Sequence, residues 1–223
     1  MKLSVIIAVL ESYIVTKRLL NYFNGFMGSK DCEVIIVDDG SQPSLRYTIN
    51  LTKLNYDLKI IETNSDIPWN QPAARNQGAK IAKGENLFFT DIDHILTEET
   101  IDEAIGFTGD KLYFKRGRAI IDEENKLSTD RKELLLLCPN KREVDLVDSH
   151  CNTFVIRKKI FDDLNGYDEK FCGKHGGDDT DFSNRYAEMC YAGKILRGER
   201  ARSQVYVYPD PGSATKHLFH SLR

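Results

Sequence analysis

The chain has 223 residues, 31 basic and 34 acidic, for a net charge of −3. It is long enough for one domain with a substantial apolar interior, and it lacks the global basic field of a nucleic-acid binder. Its five cysteines, Cys32, Cys138, Cys151, Cys172 and Cys190, are odd in number and widely spaced, which excludes a CxxC zinc or redox pair and predicts reduced thiols in a cytoplasmic setting. No apolar run approaches the ~20 residues of a bilayer crossing, so no integral membrane segment is expected and any membrane contact is peripheral.

The opening run is apolar only from Leu3 to Leu10 before Glu11, with no small-residue cleavage site behind it. It reads as a first strand over Leu3 to Val9 and not as a signal peptide. Leu19, Leu20, Phe23 and Phe26 then recur at helical spacing. Further strands are expected at Glu33 to Val37, Leu58 to Glu62 and Asn86 to Thr90, with a helix between the last two, opened by Pro72, closed by Gly84 and carrying Ala74, Ala79 and Ala82. Strands alternating with helices in this way build a largely parallel α/β sheet covered by helices. After Asp93 the rhythm changes to β-rich runs at Leu112 to Lys115, Leu134 to Cys138, Thr153 to Ile156 and Val205 to Tyr208. A helix is expected after Gly176-Gly177-Asp178-Asp179, turning Phe182, Tyr186 and Met189 inward, so that the second half forms a mixed lobe over the sheet's carboxyl edge.

Three acidic clusters carry the chemistry. Asp91-Ile92-Asp93 puts two carboxylates at i and i+2 where an apolar strand runs out, and strand alternation would send both to one side. Two hard oxygen donors there can hold a divalent cation beside a phosphorylated ligand, although such a pair on its own is more commonly a solvated turn or a helix cap. Asp38-Asp39-Gly40-Ser41 repeats the pattern at a second strand end, where an acid can accept a hydrogen bond from a ribose or from a pyrimidine imino group, or can cap a turn. The third cluster, Gly177-Asp178-Asp179-Thr180-Asp181, brings carboxylates to a helix start. The helix dipole favours acids there, and one of them can also serve as a general base towards a hydroxyl. Near the end stands His217-Leu218-Phe219-His220, a pair of ordinary surface histidines or of metal ligands.

In order and spacing, Val37-Asp38-Asp39-Gly40-Ser41, Trp69 to Ala79, Gly84-Glu85, Asp91-Ile92-Asp93, Phe161, Gly166 to Phe171, Gly177 to Phe182 with Arg185, and the closing His-Leu-Phe-His resemble the family 2 glycosyltransferases and their galactosyltransferase-like relatives. The resemblance covers nearly the whole chain. It implies the GT-A fold: a Rossmann-like, mostly parallel central sheet with helices on both faces and a smaller mixed acceptor-side lobe, in a single domain with a nucleotide-sugar half (1–95) and an acceptor and catalytic half (96–223). It implies an inverting, metal-dependent transfer from a nucleotide sugar, a UDP sugar first among them, to a hydroxyl acceptor such as a glycan or polysaccharide. By the same resemblance Ala8, Glu11, Asp39, Arg75, Asp91 and Ile92 bind the nucleotide, with Asp39 on the base. Asp93 and His217 hold Mn²⁺ or Mg²⁺, His220 being the second choice. Gly177 and Asp178 hold the acceptor, and Asp179 is the catalytic base.

Two features depart from the family pattern. Ala8-Val9-Leu10-Glu11-Ser12-Tyr13 stands where a proline and a Tyr-Asn pair are usual, and Asp178 replaces the usual glutamate. Two other functions remain open on the residues. A sugar nucleotidyltransferase would carry a glycine-rich triphosphate loop near the first strand, and Ala8 to Lys17 contains no glycine. A noncatalytic sugar-binding module would not need the full set of acids. Donor and acceptor identity lie in the lobe between Lys111 and Ser149, which carries no readable code.

Overall fold

In the computed structural model, whose described residues are 1–50, 54–122, 124–137, 144–145 and 148–208, the first apolar run forms strand β1 (Leu3–Val9). Nearly every residue of it is buried, as a strand covered on both faces requires. It pairs in parallel with β2 (Cys32–Asp38) and with β4 (Asn86–Thr90), and β3 (Asp57–Glu62) extends the parallel array beyond β2. The remaining strands are β5 (His94–Ile95), β6 (Lys111–Arg118), β9 (Asp148–Arg157) and β10 (Glu199–Val207), with a separate two-stranded ribbon of β7 (Ile120–Ile121) and β8 (Leu127–Ser128). One eight-stranded sheet results, in the order β3-β2-β1-β4-β9-β6-β10-β5, with β9 and β5 antiparallel to their neighbours. Both halves of the chain therefore share one sheet.

Helices cover both faces, as the alternating pattern predicts. On one side Leu19, Leu20 and Phe23 of α1 (Tyr13–Phe23) and Ile101 and Ala104 of α4 (Glu98–Gly106) pack on Val5, Ile7 and Val34. On the other, α3 (Gln71–Ile81), α6 (Lys158–Asp163) and α7 (Asp178–Tyr191) deliver Ala74, Phe161, Phe182 and Tyr186 onto Ile6, Ile35 and Phe89. A short helix, α2 (Leu45–Thr48), caps the loop after β2. Among the described residues no helix is long and apolar enough to cross a membrane, and Cys32, Cys151, Cys172 and Cys190 are free thiols. Cys138 lies outside the described residues.

Two expectations need correction. Of the run Leu134 to Cys138, expected as β-rich, Leu134 to Leu137 fall instead in helix α5 (Arg131–Leu137). Four successive leucines carry high helix propensity, and the Asp130 carboxylate accepts the backbone N–H groups of Lys132 (2.8 Å) and Glu133 (3.2 Å) to start the helix. Gly84 does not close α3, which ends at Ile81 with Ala82 already extended. Its glycine identity answers to a close approach instead, since a Cβ at Gly84 would lie 2.5 Å from the backbone nitrogen of Ser4 in β1.

Lys111 opens β6 yet is fully buried, and among the described residues its Nζ has no hydrogen-bond partner. Four rings surround it: Phe154 at 4.1 Å, Tyr113 and Tyr186 at 4.8 Å and Phe182 at 5.1 Å. Cation–π attraction offsets only part of the lost hydration, and burial pushes the ammonium from its ordinary 10.5 down to about 7. Between those two values the unfolded chain holds this proton and the folded chain does not, so stability climbs with pH across that window and the penalty is complete below it. Lys111→Met, similar in volume and uncharged, is expected to raise Tm at pH 7 by about 4–8 °C, equivalent to about 2 kcal/mol, and to flatten the rise in stability above pH 7. Thermal melts across pH check this, and an unchanged slope in the variant would refute the assignment.

Candidate active site

The carboxyl ends of β1, β2 and β4 frame the site, the edge where open α/β sheets bind ligands. Asp38 and Asp39 divide their work there. The Asp38 carboxylate accepts the N–H groups of Ser41 (3.0 Å) and Leu45 (2.8 Å), so it shapes the turn. Asp39 accepts hydrogen bonds from Thr63 Oγ1 (3.0 Å) and Asn70 Nδ2 (3.1 Å) and lines a cavity of about 120 Å³ together with Ala8, Leu10, Pro68, Trp69 and Ile92. That volume is well below the ~300 Å³ at which pockets for drug-sized ligands begin. Burial pushes the Asp39 carboxyl above its ordinary value, against the pull of the Asn70 and Thr63 hydrogen bonds. Glu11 is not part of the lining: its backbone turns left-handed (φ 49°) and its N–H donates to Ser41 Oγ at 2.8 Å.

Arg75 stands at the centre of the edge. It is buried in α3, lies over the Tyr167 ring at 5.2 Å, and divides its guanidinium between Asp91 Oδ1 (Nη2, 2.9 Å) and Asp178 Oδ2 (Nη1, 3.2 Å). One cation thus joins α3, the turn after β4 and the start of α7. The next residue, Asn76, clasps the Tyr167 backbone by both amide atoms, accepting from its N–H at 2.8 Å and donating to its carbonyl at 2.9 Å. This explains why Arg75-Asn76 and Gly166-Tyr167 occur together in the motif. Burial pushes the Asp91 carboxyl up, but the charges of Arg75, His94 and His150 outweigh it and hold Asp91 below its ordinary value.

Asp91-Ile92-Asp93 does not continue the strand. β4 ends at Thr90, and the three residues form a turn closed by the His94 N–H on the Asp91 carbonyl at 3.1 Å, so the i, i+2 alternation argument does not apply. The two acids meet different partners. Asp91 faces Arg75, whereas Asp93 Oδ1 lies 4.0 Å from His94 Nε2. Ile92 between them lines the cavity. Among the described residues, Asp91, His94 and His150 present ligand atoms that all lie within 4.8 Å of one another, and Asp93 is not one of that group. His217 and His220 lie outside the described residues. The sequence reading missed His94 and His150. His94 directly follows the acidic pair and could have been read with it. His150 gives no local signal: it arrives because Phe89 pairs with Phe154 in the antiparallel β4–β9 register, which lays the start of β9 beside the turn after β4.

The start of α7 supplies the third cluster. Gly177 precedes the helix at φ 95°, a conformation L side chains rarely adopt, and a Cβ there would lie 3.0 Å from the Phe171 ring. Asp178, the first residue of α7, is buried against Arg75. Asp179 is half-exposed: Oδ2 accepts the Cys151 thiol at 2.6 Å and Oδ1 accepts the Thr180 N–H at 2.7 Å. Burial pushes its carboxyl up, but those hydrogen bonds outweigh it and hold it below its ordinary value, so it is ionised at neutral pH. Asp181 is spent on Arg185 Nε at 2.8 Å, an i, i+4 pair on the helix surface. His175, in the loop before α7, meets Trp69 edge-on with centroids 4.5 Å apart, which connects the rim of the Asp39 cavity to this cluster.

The family description "Glycosyl transferase family 2" matches residues 4–164 of this chain, and that for the N-terminal domain of galactosyltransferase matches residues 150–207. The chain belongs to glycosyl transferase family 2. Among curated relatives it is 32% identical over 102 residues to a poly(ribitol-phosphate) beta-glucosyltransferase of Bacillus spizizenii, and 34% identical over 110 residues to the poly(ribitol-phosphate) beta-N-acetylglucosaminyltransferase TarS of Staphylococcus aureus. Those alignments cover 45% and 48% of this chain but only 16% and 19% of the relatives, which are far longer proteins. Among solved structures, S. aureus TarS 1-349 in complex with UDP-GlcNAc superposes with a TM-score of 0.63 at 22% identity, covering 93% of this chain and 58% of that one. GalNAc-T7 with UDP, GalNAc and Mn²⁺ superposes with a TM-score of 0.59 at 17% identity, covering 93% and 44%. The fold is therefore that of the GT-A glycosyltransferases.

Proposed function

We propose that this chain is an inverting, cation-assisted glycosyltransferase that moves a sugar from a UDP sugar to a hydroxyl of a polymeric acceptor. The observation that carries the proposal is Asp179: an ionised, half-exposed carboxylate on the same edge as the Asp39 cavity, next in sequence to the acid that Arg75 ties to Asp91. A TarS complex with UDP-GlcNAc supports the donor class, and the named substrates of the relatives, poly(ribitol-phosphate) chains, support a hydroxyl-rich polymer as acceptor.

In this reading the base enters the cavity between Ala8, Trp69 and Ile92, with Asp39 accepting its imino hydrogen. The diphosphate then lies over the Asp91-to-Asp93 turn. A divalent cation held there, Mn²⁺ or Mg²⁺, with Asp93 and His217 among its expected ligands, supplies charge stabilisation for the departing diphosphate. Gly177 and Asp178 hold the acceptor, and Arg75 fixes Asp178 and Asp91 relative to each other. Asp179 removes the proton as the acceptor oxygen attacks the anomeric carbon from the face opposite the diphosphate, which inverts the configuration. A single carboxylate suffices because the diphosphate leaves without needing a proton, unlike the leaving group in glycoside hydrolysis, which takes one from a second acid.

The test is release of UDP from UDP-GlcNAc and UDP-glucose in the presence of Mn²⁺ and a ribitol-phosphate polymer. Release that requires the acceptor and stops on chelation is the expected result. Donor binding with no release under any of these conditions would make the chain a noncatalytic nucleotide-sugar module.

A further inference from the structure

We infer that Cys151 is a positioning residue for the proposed base: its thiol holds the Asp179 carboxylate in register with the sheet. This inference rests on the reading of Asp179 as the base and deepens it by naming what aims that carboxylate. Asp179 is the second residue of α7 and half-exposed, and its own helix restrains it through the next residue, whose N–H reaches Oδ1 at 2.7 Å. The other oxygen is held from a different element. Cys151 Sγ, on β9, lies 2.6 Å from Oδ2.

The thiol is the donor. A thiolate beside an ionised carboxylate would meet a like charge, so the sulfur keeps its proton and donates it towards Oδ2. β9 runs antiparallel beside β4, with Phe154 opposite Phe89, and this register brings Cys151 to the same sheet edge as the turn after β4. The bond therefore ties the base to the strands that carry the proposed diphosphate seat, and not to its own helix alone. Arg75 does the equivalent for Asp178, so the two neighbouring acids are fixed by separate partners.

Lone pairs decide which oxygen takes the proton. An ionised carboxylate has about four acceptor positions, two on each oxygen. Oδ1 spends both of its own on Thr180, through the N–H at 2.7 Å and the Oγ1 hydroxyl at 3.4 Å. Among the described residues Oδ2 accepts the Cys151 thiol alone and keeps one position free, so the acceptor hydroxyl gives its proton to the oxygen that the thiol aims. Of the charged groups around this carboxylate, Arg75 of α3 favours its ionised form, and Asp178, next in sequence, is paired with that arginine. β9 contributes the thiol. Burial acts against ionisation, so removing the thiol takes away one of the groups that hold the carboxyl below its ordinary value.

Sugar transfer measured against pH and the infrared S–H stretch test the assignment. In Cys151→Ala the acid limb of kcat/KM is expected to move to higher pH, because a carboxylate that loses a donor holds its proton more tightly, with a loss of about 3–10-fold on that limb. UDP affinity and Tm should stay at their wild-type values, and Cys151→Ser, which retains a donor, should restore the profile. The S–H band that vanishes in Cys151→Ala is expected at lower frequency than that of a free thiol and should shift back up in Asp179→Ala, a readout that needs no turnover. A folded Cys151→Ala with the wild-type pH profile, or a Cys151 band at the free-thiol position, would overturn the inference. The two claims fail separately: turnover retained in Asp179→Asn removes the base and this role with it, whereas an inactive Asp179→Asn beside an unchanged Cys151→Ala profile sinks the positioning role alone.

Discussion

Asp179→Asn is expected to lower sugar transfer by about 10²–10⁴-fold, the usual contribution of a positioned general base, while leaving the affinity for UDP within a factor of about three. The substitution keeps the size of the side chain and its acceptor oxygen but removes the charge that takes the acceptor proton. The Cys151 thiol and the Thr180 N–H hold the wild-type carboxyl below its ordinary value, so the acid limb of the kcat/KM profile should fall below that of an ordinary aspartate, and activity should persist as the pH drops from neutral. Loss of transfer with binding intact is the signature of a base. Retention of more than a tenth of the wild-type turnover would remove Asp179 from the mechanism.

Arg75→Ala is expected to cost about 3–5 kcal/mol of stability and to abolish transfer. The size of the effect comes from what is left behind: Asp91 and Asp178 would both keep their charge at a largely buried position with their shared partner gone. At about 2–4 °C per kcal/mol for a chain of this size, Tm should fall by at least about 6 °C. Arg75→Lys restores the charge but cannot span two carboxylates with one planar fork, so it should recover part of the stability and little of the transfer. Differential scanning calorimetry with an activity assay measures both, and a folded Arg75→Ala with wild-type Tm would show that the two acids do not depend on this ion pair.

The centre of the parallel half was legible because β1, β2 and β4 are buried on both faces. Leu3 to Val9 and Asn86 to Thr90 read as short, largely apolar runs, and the strands occupy those bounds. The helix start at Gly177-Asp178-Asp179 was equally clear, since the helix dipole favours acids in a first turn. The mixed lobe was not, because its elements are defined by distant partners: the leucines of α5 read as β-rich until the Asp130 cap is seen. Within the site the acids could be found one by one, but their division of labour could not. Whether Asp178 or Asp179 pairs with an arginine depends on where α3 crosses the sheet, and His150 joins Asp91 only through the pairing of β9 with β4, sixty residues along the chain from one strand to the next in round terms.

Calorimetric titration of the protein with UDP, with and without Mn²⁺, tests the central claim most directly, because nucleotide and cation are proposed to meet on one edge between Asp39 and Asp91. Saturable one-to-one UDP binding that weakens at least ~10-fold when the cation is chelated, and that Asp39→Ala reduces, is the predicted result. No saturable UDP binding by the folded protein, or binding indifferent to both the cation and Asp39, would contradict it.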